Sequence, residues 1–77
     1  MKTSKVQLNS INDVKDFVTK ISKFDCEIDL ISGRYVVDAK SIMGIFSLDL
    51  SKPIDIEIHD DSYFDKFKEE MKDFIVD

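Results

Sequence analysis

The sequence predicts one α+β domain, residues 1–77, built as an open-faced sandwich in which helices pack on one face of a four-stranded antiparallel sheet. Three observations lead to this fold class. The chain has 77 residues, the length of a single small domain. Short segments of alternating apolar and polar residues predict strands with one buried face, and segments with helical spacing predict helices with one apolar stripe. These segments follow the order βαββαβα.

A strand followed by a helix is predicted at the start of the chain. Residues Lys5–Asn9 alternate, with Val6 and Leu8 on one face. Ser10 and Asp13 resemble a capping box, which places the start of the first helix near residue 11. The apolar residues of this helix are Ile11, Val14, Phe17, Val18 and Ile21.

Two further strands are predicted to form a hairpin. The alternating segment Cys26–Leu30 is the first strand, Ser32-Gly33 is the turn, and Arg34–Ala39 is the second strand. The residues expected on the inner faces are Cys26, Ile28 and Leu30 in the first strand and Tyr35, Val37 and Ala39 in the second.

The second half of the chain predicts a short helix, a strand and a final helix. The segment Lys40–Leu50 contains six large apolar residues, and the short helix is expected within it. Ile54–Ile58 alternates as a half-buried strand, and Asp60-Asp61-Ser62 is expected to cap the last helix. The apolar stripe of that helix is Phe64, Phe67, Met71 and Phe74. The predicted core is Val6, Leu8, Ile28, Leu30, Val37, Ile54, Ile56 and Ile58 against Phe17, Ile21, Phe67, Met71 and Phe74.

Composition excludes several classes of function. Lys and Arg total 11 against 16 Asp and Glu, for a net charge of −5, and no basic cluster offsets this. Nucleic acid and acidic membranes are therefore not expected as partners. The single cysteine, Cys26, cannot form an internal disulfide or a cysteine-rich metal site. No metal or other cofactor is predicted. With no segment of signal-peptide or membrane-span character, we expect a cytoplasmic protein.

The element order and several local motifs resemble the histidine-containing phosphocarrier protein (HPr) family of the bacterial sugar phosphotransferase system. The motifs are Lys40-Ser41, Leu48-Asp49-Leu50 and the alternating Ile54–Ile58, together with Phe17–Leu30, which is similar to the end of the first helix and the second strand of that family. The resemblance implies an HPr-like fold, protein partners and no catalytic residues of its own. We expect a monomer.

In that family a histidine before the first helix accepts the phosphoryl group, and an arginine and a proline follow it. The resemblance places Ser10 at the histidine position, Asn12 at the arginine position and Asp13 at the proline position. A serine without an adjacent base is a poor nucleophile, and Asp13 would repel a phosphoryl group. Ser10 is therefore interpreted as a helix cap at a degenerate phosphohistidine site, and the protein as one without phosphocarrier activity.

A second site implied by the resemblance is Ser41. In one branch of the family, an ATP-dependent kinase phosphorylates this serine, and the modified protein binds a transcriptional regulator. The alternative, which we favour, is that Ser41 only caps the short helix.

The family also presents an apolar patch to its protein partners, here expected to include Ser10, Asn12, Ile42, Met43 and Ile45. In this interpretation Ile45, Leu48 and Leu50 anchor the segment while Ile42 and Met43 face the surface. The alternative is that all six apolar residues of the segment are core. For Met43 we give a surface position and a core position equal weight. For the other five residues we favour a core position.

The sequence is also consistent with two other kinds of function. The protein could carry phosphate on its single histidine, His59, at the end of the last predicted strand. It could also be an orphan domain that shares only the fold, since one fold hosts many functions.

Overall fold

The fold is described from a computed structural model, which covers residues 2–76. Its elements are β1 (Lys2–Val6), α1 (Ile11–Ile21), β2 (Ile28–Ser32), β3 (Tyr35–Asp38), α2 (Ile42–Phe46), β4 (Ile54–Ile58) and α3 (Phe64–Glu70), with a 3₁₀ turn at Asp61–Tyr63 before α3. This order confirms the predicted α+β class and the βαββαβα arrangement. The terminal residues Met1 and Asp77 of the predicted domain lie outside the described range.

The four strands form one antiparallel sheet in the order β1-β4-β2-β3. The predicted hairpin is β2 and β3, closed by the pair Ser32 and Tyr35. Gly33 in its turn has a φ of +60°, which glycine adopts without steric cost. A glycine of positive φ at the first central position is typical of a two-residue hairpin turn whose twist matches the strands.

One face of the sheet packs against the helices and forms the core. All the predicted core residues are buried except Val37, which is partly buried against the others. Phe17 of α1 and Phe74 meet edge to face, with ring centroids 5.8 Å apart. Met71 and Phe74, the last two residues of the predicted apolar stripe, are buried although α3 ends at Glu70. The stripe therefore continues past the C-terminus of the helix.

The boundaries of β1 and β2 differ from the prediction. β1 covers Lys2–Val6 rather than residues 5–9, because its partner strand β4 begins at Ile54, opposite Val6. The N–H of Gln7 donates instead to the carbonyl of Phe74 (2.8 Å). Leu8 is fully buried in the connection that follows. β2 begins at Ile28, so Cys26 lies before the strand and is only partly buried.

Two residues expected on inner faces are exposed. Tyr35 is 70% exposed because it lies at the hairpin end of β3, the edge strand, where no second neighbour covers it. Ile11 is 62% exposed because it is the first residue of α1 and precedes the buried residues of the helix.

Within residues 2–76, no helix has the length and hydrophobicity that crossing a bilayer requires.

Candidate functional site

The candidate site begins at the N-terminus of α1, where Ser10 is the cap residue. Ser10 has extended backbone geometry, and its hydroxyl accepts a hydrogen bond from the N–H of Asp13 (3.1 Å). The carboxylate of Asp13 accepts in turn from the N–H of Asn9 (2.9 Å). Two of the N–H groups at the helix start are therefore satisfied by local side chains. The reciprocal bond reaches Asn9 rather than the cap residue itself, but the predicted cap at Ser10 is confirmed.

The polar residues at this helix start are Ser10, Asn12 and Asp13, and none of them carries a positive charge. The Ser10 hydroxyl oxygen already accepts a hydrogen bond within the cap. The Asp13 carboxylate lies in the first turn of α1, where its negative charge occupies the region of favourable helix dipole. Asn12 is exposed and uncharged.

The second part of the site is α2 and its cap residue, Ser41. The Ser41 hydroxyl accepts from the N–H of Gly44 (3.2 Å), and the Ser41 carbonyl accepts from the N–H of Ile45 (3.0 Å). A side chain at Gly44 would place its Cβ 3.2 Å from Cβ of Val37, so glycine lets α2 lie close to β3. Ser41 is half-buried, while Ile42 and Met43, the next residues, reach solvent.

Exposed apolar residues lie at the start of α1 and along α2. A shallow groove of about 440 Å³ includes Ser10 and Ile11 on one side and Phe46 on the other. Met43 is 80% exposed, and Ile42 and Phe46 are about two-fifths exposed. We call the four exposed apolar residues Ile11, Ile42, Met43 and Phe46 the α1–α2 surface. Ser41 lies at the opposite end of α2 from the groove.

The residues that form this surface differ from those predicted. Ile45 was expected both to anchor the segment and to contact partners; it is fully buried, so the anchoring position is confirmed and the partner contact is wrong. Ile42 and Phe46 were favoured as core residues but are exposed, because a five-residue helix can bury only one narrow side. Ile11 and Phe46 were missed as surface residues. Ile11 could have been recognised by its position at the first turn of a capped helix.

His59, the alternative acceptor, lies at the other end of the sheet. Val6, which leads towards α1, pairs with Ile54, whereas the end of β4 next to His59 pairs with Lys2. Nε2 of His59 lies 2.9 Å from a carboxylate oxygen of Asp29 on β2. His59 therefore has a carboxylate partner, but it is separated from the start of α1 by the length of the sheet.

The outer face of the sheet around His59 is acidic. Glu57, Asp29 and Asp38 lie abreast on three neighbouring strands. Cys26 lies at the edge of this region, and burial, followed by the charge of Asp60, raises the pKa of its thiol. Among the described residues, no group of His, Cys, Asp and Glu side chains is arranged to hold a metal ion.

Fold and site together define a class of small open-faced α+β sandwich that presents a capped helix start beside an exposed apolar surface. The chain belongs to the HPr family, since the family model described as the PTS HPr component phosphorylation site matches residues 5–75. Family and fold connect it with the phosphocarrier proteins of the phosphotransferase system.

Solved structures agree with this assignment. The chain is similar to HPr-C-His from Thermoanaerobacter tengcongensis, with 26% identity, a TM-score of 0.78, and coverage of 94% of this chain and 89% of the other. It has the same fold as the phosphocarrier protein HPr from Bacillus anthracis str. Ames, with 23% identity, a TM-score of 0.69, and 90% of each chain covered. A search among curated proteins found no match.

Proposed function

We propose that this protein is an HPr-like regulatory module of the phosphotransferase system that does not carry phosphate and acts in the cytoplasm by binding protein partners. The observation that carries the proposal is the cap at the start of α1. Ser10, which the resemblance places at the family's phospho-acceptor histidine, is a helix cap, and the Asp13 carboxylate would repel a phosphoryl group at this helix start.

The partner surface in this proposal is the α1–α2 surface together with Ser10 and Asn12. Exposed apolar residues grouped on one side of a small domain are typical of protein-binding sites. The partners fitting the family are components of the phosphotransferase system or a transcriptional regulator. Ile45 contributes by supporting α2 from the core rather than by contact.

Ser41 is the proposed regulatory site. A kinase would transfer the γ-phosphoryl group of ATP to Oγ of Ser41, releasing ADP and the hydroxyl proton. Oγ now accepts a hydrogen bond from the N–H of Gly44 (3.2 Å), so the phosphate would form close to main-chain donors and beside Ile42 and Met43. The added charge would alter the α1–α2 surface directly.

The test of the non-carrier proposal is incubation with enzyme I and labelled phosphoenolpyruvate. We expect no acid-labile label on the wild-type chain, with a phosphocarrier HPr as the positive control. The triple variant Ser10→His, Asn12→Arg, Asp13→Pro restores the family's residues and should gain label. Acid-labile label on the wild type would contradict the proposal, and its loss in His59→Ala would assign the carrier role to His59.

The regulatory part is tested separately with the ATP-dependent HPr kinase. We expect acid-stable label on the wild type and none on Ser41→Ala, with Ser47→Ala as the matched control because Ser47 is the exposed serine at the other end of α2. Absence of label on the wild type would reject Ser41 as a regulatory site and favour the orphan-domain alternative.

A further inference from the structure

The two edges of the sheet differ in whether another segment of the chain pairs with them. At the β1 edge, the C-terminal segment pairs with the strand: Val6 bridges Ile75, and the N–H of Val76 donates to the carbonyl of Lys5 (3.0 Å). At the β3 edge, β2 is the only strand among the described residues that pairs with Tyr35–Asp38, and it lies on the inner side, so the outer side of β3 has no strand partner. An uncovered edge strand is a template for pairing with another chain unless charges, proline or a bulge prevent it.

The main-chain groups of β3 that face this open edge can be assigned. The N–H of Ala39 donates to the carbonyl of Ile28 (2.9 Å), so this pair faces inwards to β2. Hydrogen-bonded and non-hydrogen-bonded pairs alternate along an antiparallel ladder. Val37 and Tyr35 therefore also bond to β2, and the N–H and carbonyl of Val36 and the N–H of Asp38 point away from the sheet. The Asp38 carbonyl already accepts from the N–H of Ser41.

The side chains along this edge are self-complementary. If two copies pair antiparallel about a twofold axis at Val36, the two Val36 residues lie opposite each other and exchange their main-chain hydrogen bonds. Arg34 of each copy then lies opposite Asp38 of the other on the same face. Within residues 2–76, neither Arg34 nor Asp38 has an ion-pair partner. A shift of the axis to Val37 would instead oppose Arg34 to Lys40, which disfavours that register.

The exposed apolar residues agree with this register. Val36 is 61% exposed on the outer face and lies beside the half-buried Ile31 of β2, so pairing would join two such rows into a continuous apolar strip. Tyr35, 70% exposed on the other face, would lie opposite Val37 of the second copy. Cross-strand apolar and aromatic pairs of this kind stabilise antiparallel sheets.

We propose that the β3 edge binds a second copy of this chain, forming a dimer with a continuous sheet centred on Val36 and closed by reciprocal Arg34–Asp38 ion pairs. This proposal differs from the monomer that we expect from the sequence. Because a four-residue strand forms a small interface, the association belongs to the weak, concentration-dependent class.

Charge exchange tests the register. Analytical sedimentation from micromolar to millimolar concentration should show that the wild type dimerises. Arg34→Glu and Asp38→Lys should each lower the dimerisation affinity by about three- to tenfold, because like charges then lie opposite each other in the homodimer. An equimolar mixture of the two variants should recover association, because both cross-pairs are then attractive. Lys15→Glu, the same charge change on the exposed part of α1, is the control and should dimerise as the wild type does.

A crosslink tests the geometry without relying on those variants. Cα atoms of a hydrogen-bonded antiparallel pair are about 5.5 Å apart, within disulfide range. In a Cys26→Ser background, Val36→Cys should form an intermolecular disulfide with oxidised glutathione at least about tenfold faster than Thr3→Cys, an exposed position on the other edge strand. The proposal would be overturned by a monomer at every concentration, by equal crosslinking of the two cysteines, by weakened association that mixing does not restore, or by association that Arg34→Glu leaves unchanged. The last result would assign the contact to a different surface.

Discussion

Replacing Ser10 with alanine distinguishes a structural cap from a residue that serves only a binding or acceptor role. The hydroxyl accepts one hydrogen bond, from the N–H of Asp13 at 3.1 Å, and alanine leaves that donor to water. Because the site is exposed and the bond between Asp13 and Asn9 remains, we expect a loss near the middle of the measured range for caps, about 1 kcal/mol. For a domain of this size, that loss lowers the melting temperature by about 4–8 °C.

The assay is urea unfolding followed by circular dichroism, with Ser10→Asn as the matched control. Asparagine caps helices about as well as serine, so this variant should unfold close to the wild type. The m-value should be the same in all three proteins, because the surface exposed on unfolding does not change. If Ser10→Ala has the stability of the wild type, the hydroxyl does not stabilise α1, and Ser10 is not a structural cap.

Three further predictions follow from burial and charge. Ile45→Ala should cost about 2–5 kcal/mol in urea unfolding because Ile45 is fully buried, whereas Met43→Ala should change stability by less than about 0.5 kcal/mol; equal effects would contradict the assigned orientation of α2. Hydrogen bonds from the hydroxyl and N–H of Ser62 lower the pKa of Asp60, so its charge stabilises the fold above the unfolded pKa. The advantage of the wild type over Asp60→Asn should therefore shrink as pH falls below about 4, and a pH-independent difference would refute this. Burial raises the pKa of the Cys26 thiol, so alkylation near neutral pH should be slower than for a free model thiol, and an equal rate would contradict the assigned environment.

Local patterns predicted most of the secondary structure correctly. Apolar and charged residues alternate without exception in Ile54–Ile58, a pattern that predicts a strand with one buried face. The structure has β4 at those residues. Ser10 and Ser41 were both predicted as caps because serine before an apolar segment satisfies N–H groups that the helix itself leaves unpaired. These features depend on neighbours within a few residues.

The parts of the site that were predicted wrongly depend on contacts distant in the chain. Ile11, Phe46 and Ile45 are all large and apolar, and the pattern does not reveal which of them the sheet covers. Their exposures of 62%, 41% and 0% follow from where α1 and α2 lie on the sheet. The groove that joins Ser10 to Phe46 exists only because these two short segments meet after folding.

The sequence by itself determined the order of the elements, the caps and the absence of an acceptor histidine before α1, because each is a property of residue type and short-range spacing. The tertiary structure alone decided which apolar residues form the α1–α2 surface and which sheet edge stays open. Both depend on the sheet order β1-β4-β2-β3, which leaves β3 at an edge, and on residues 74–76 pairing with β1 rather than with β3.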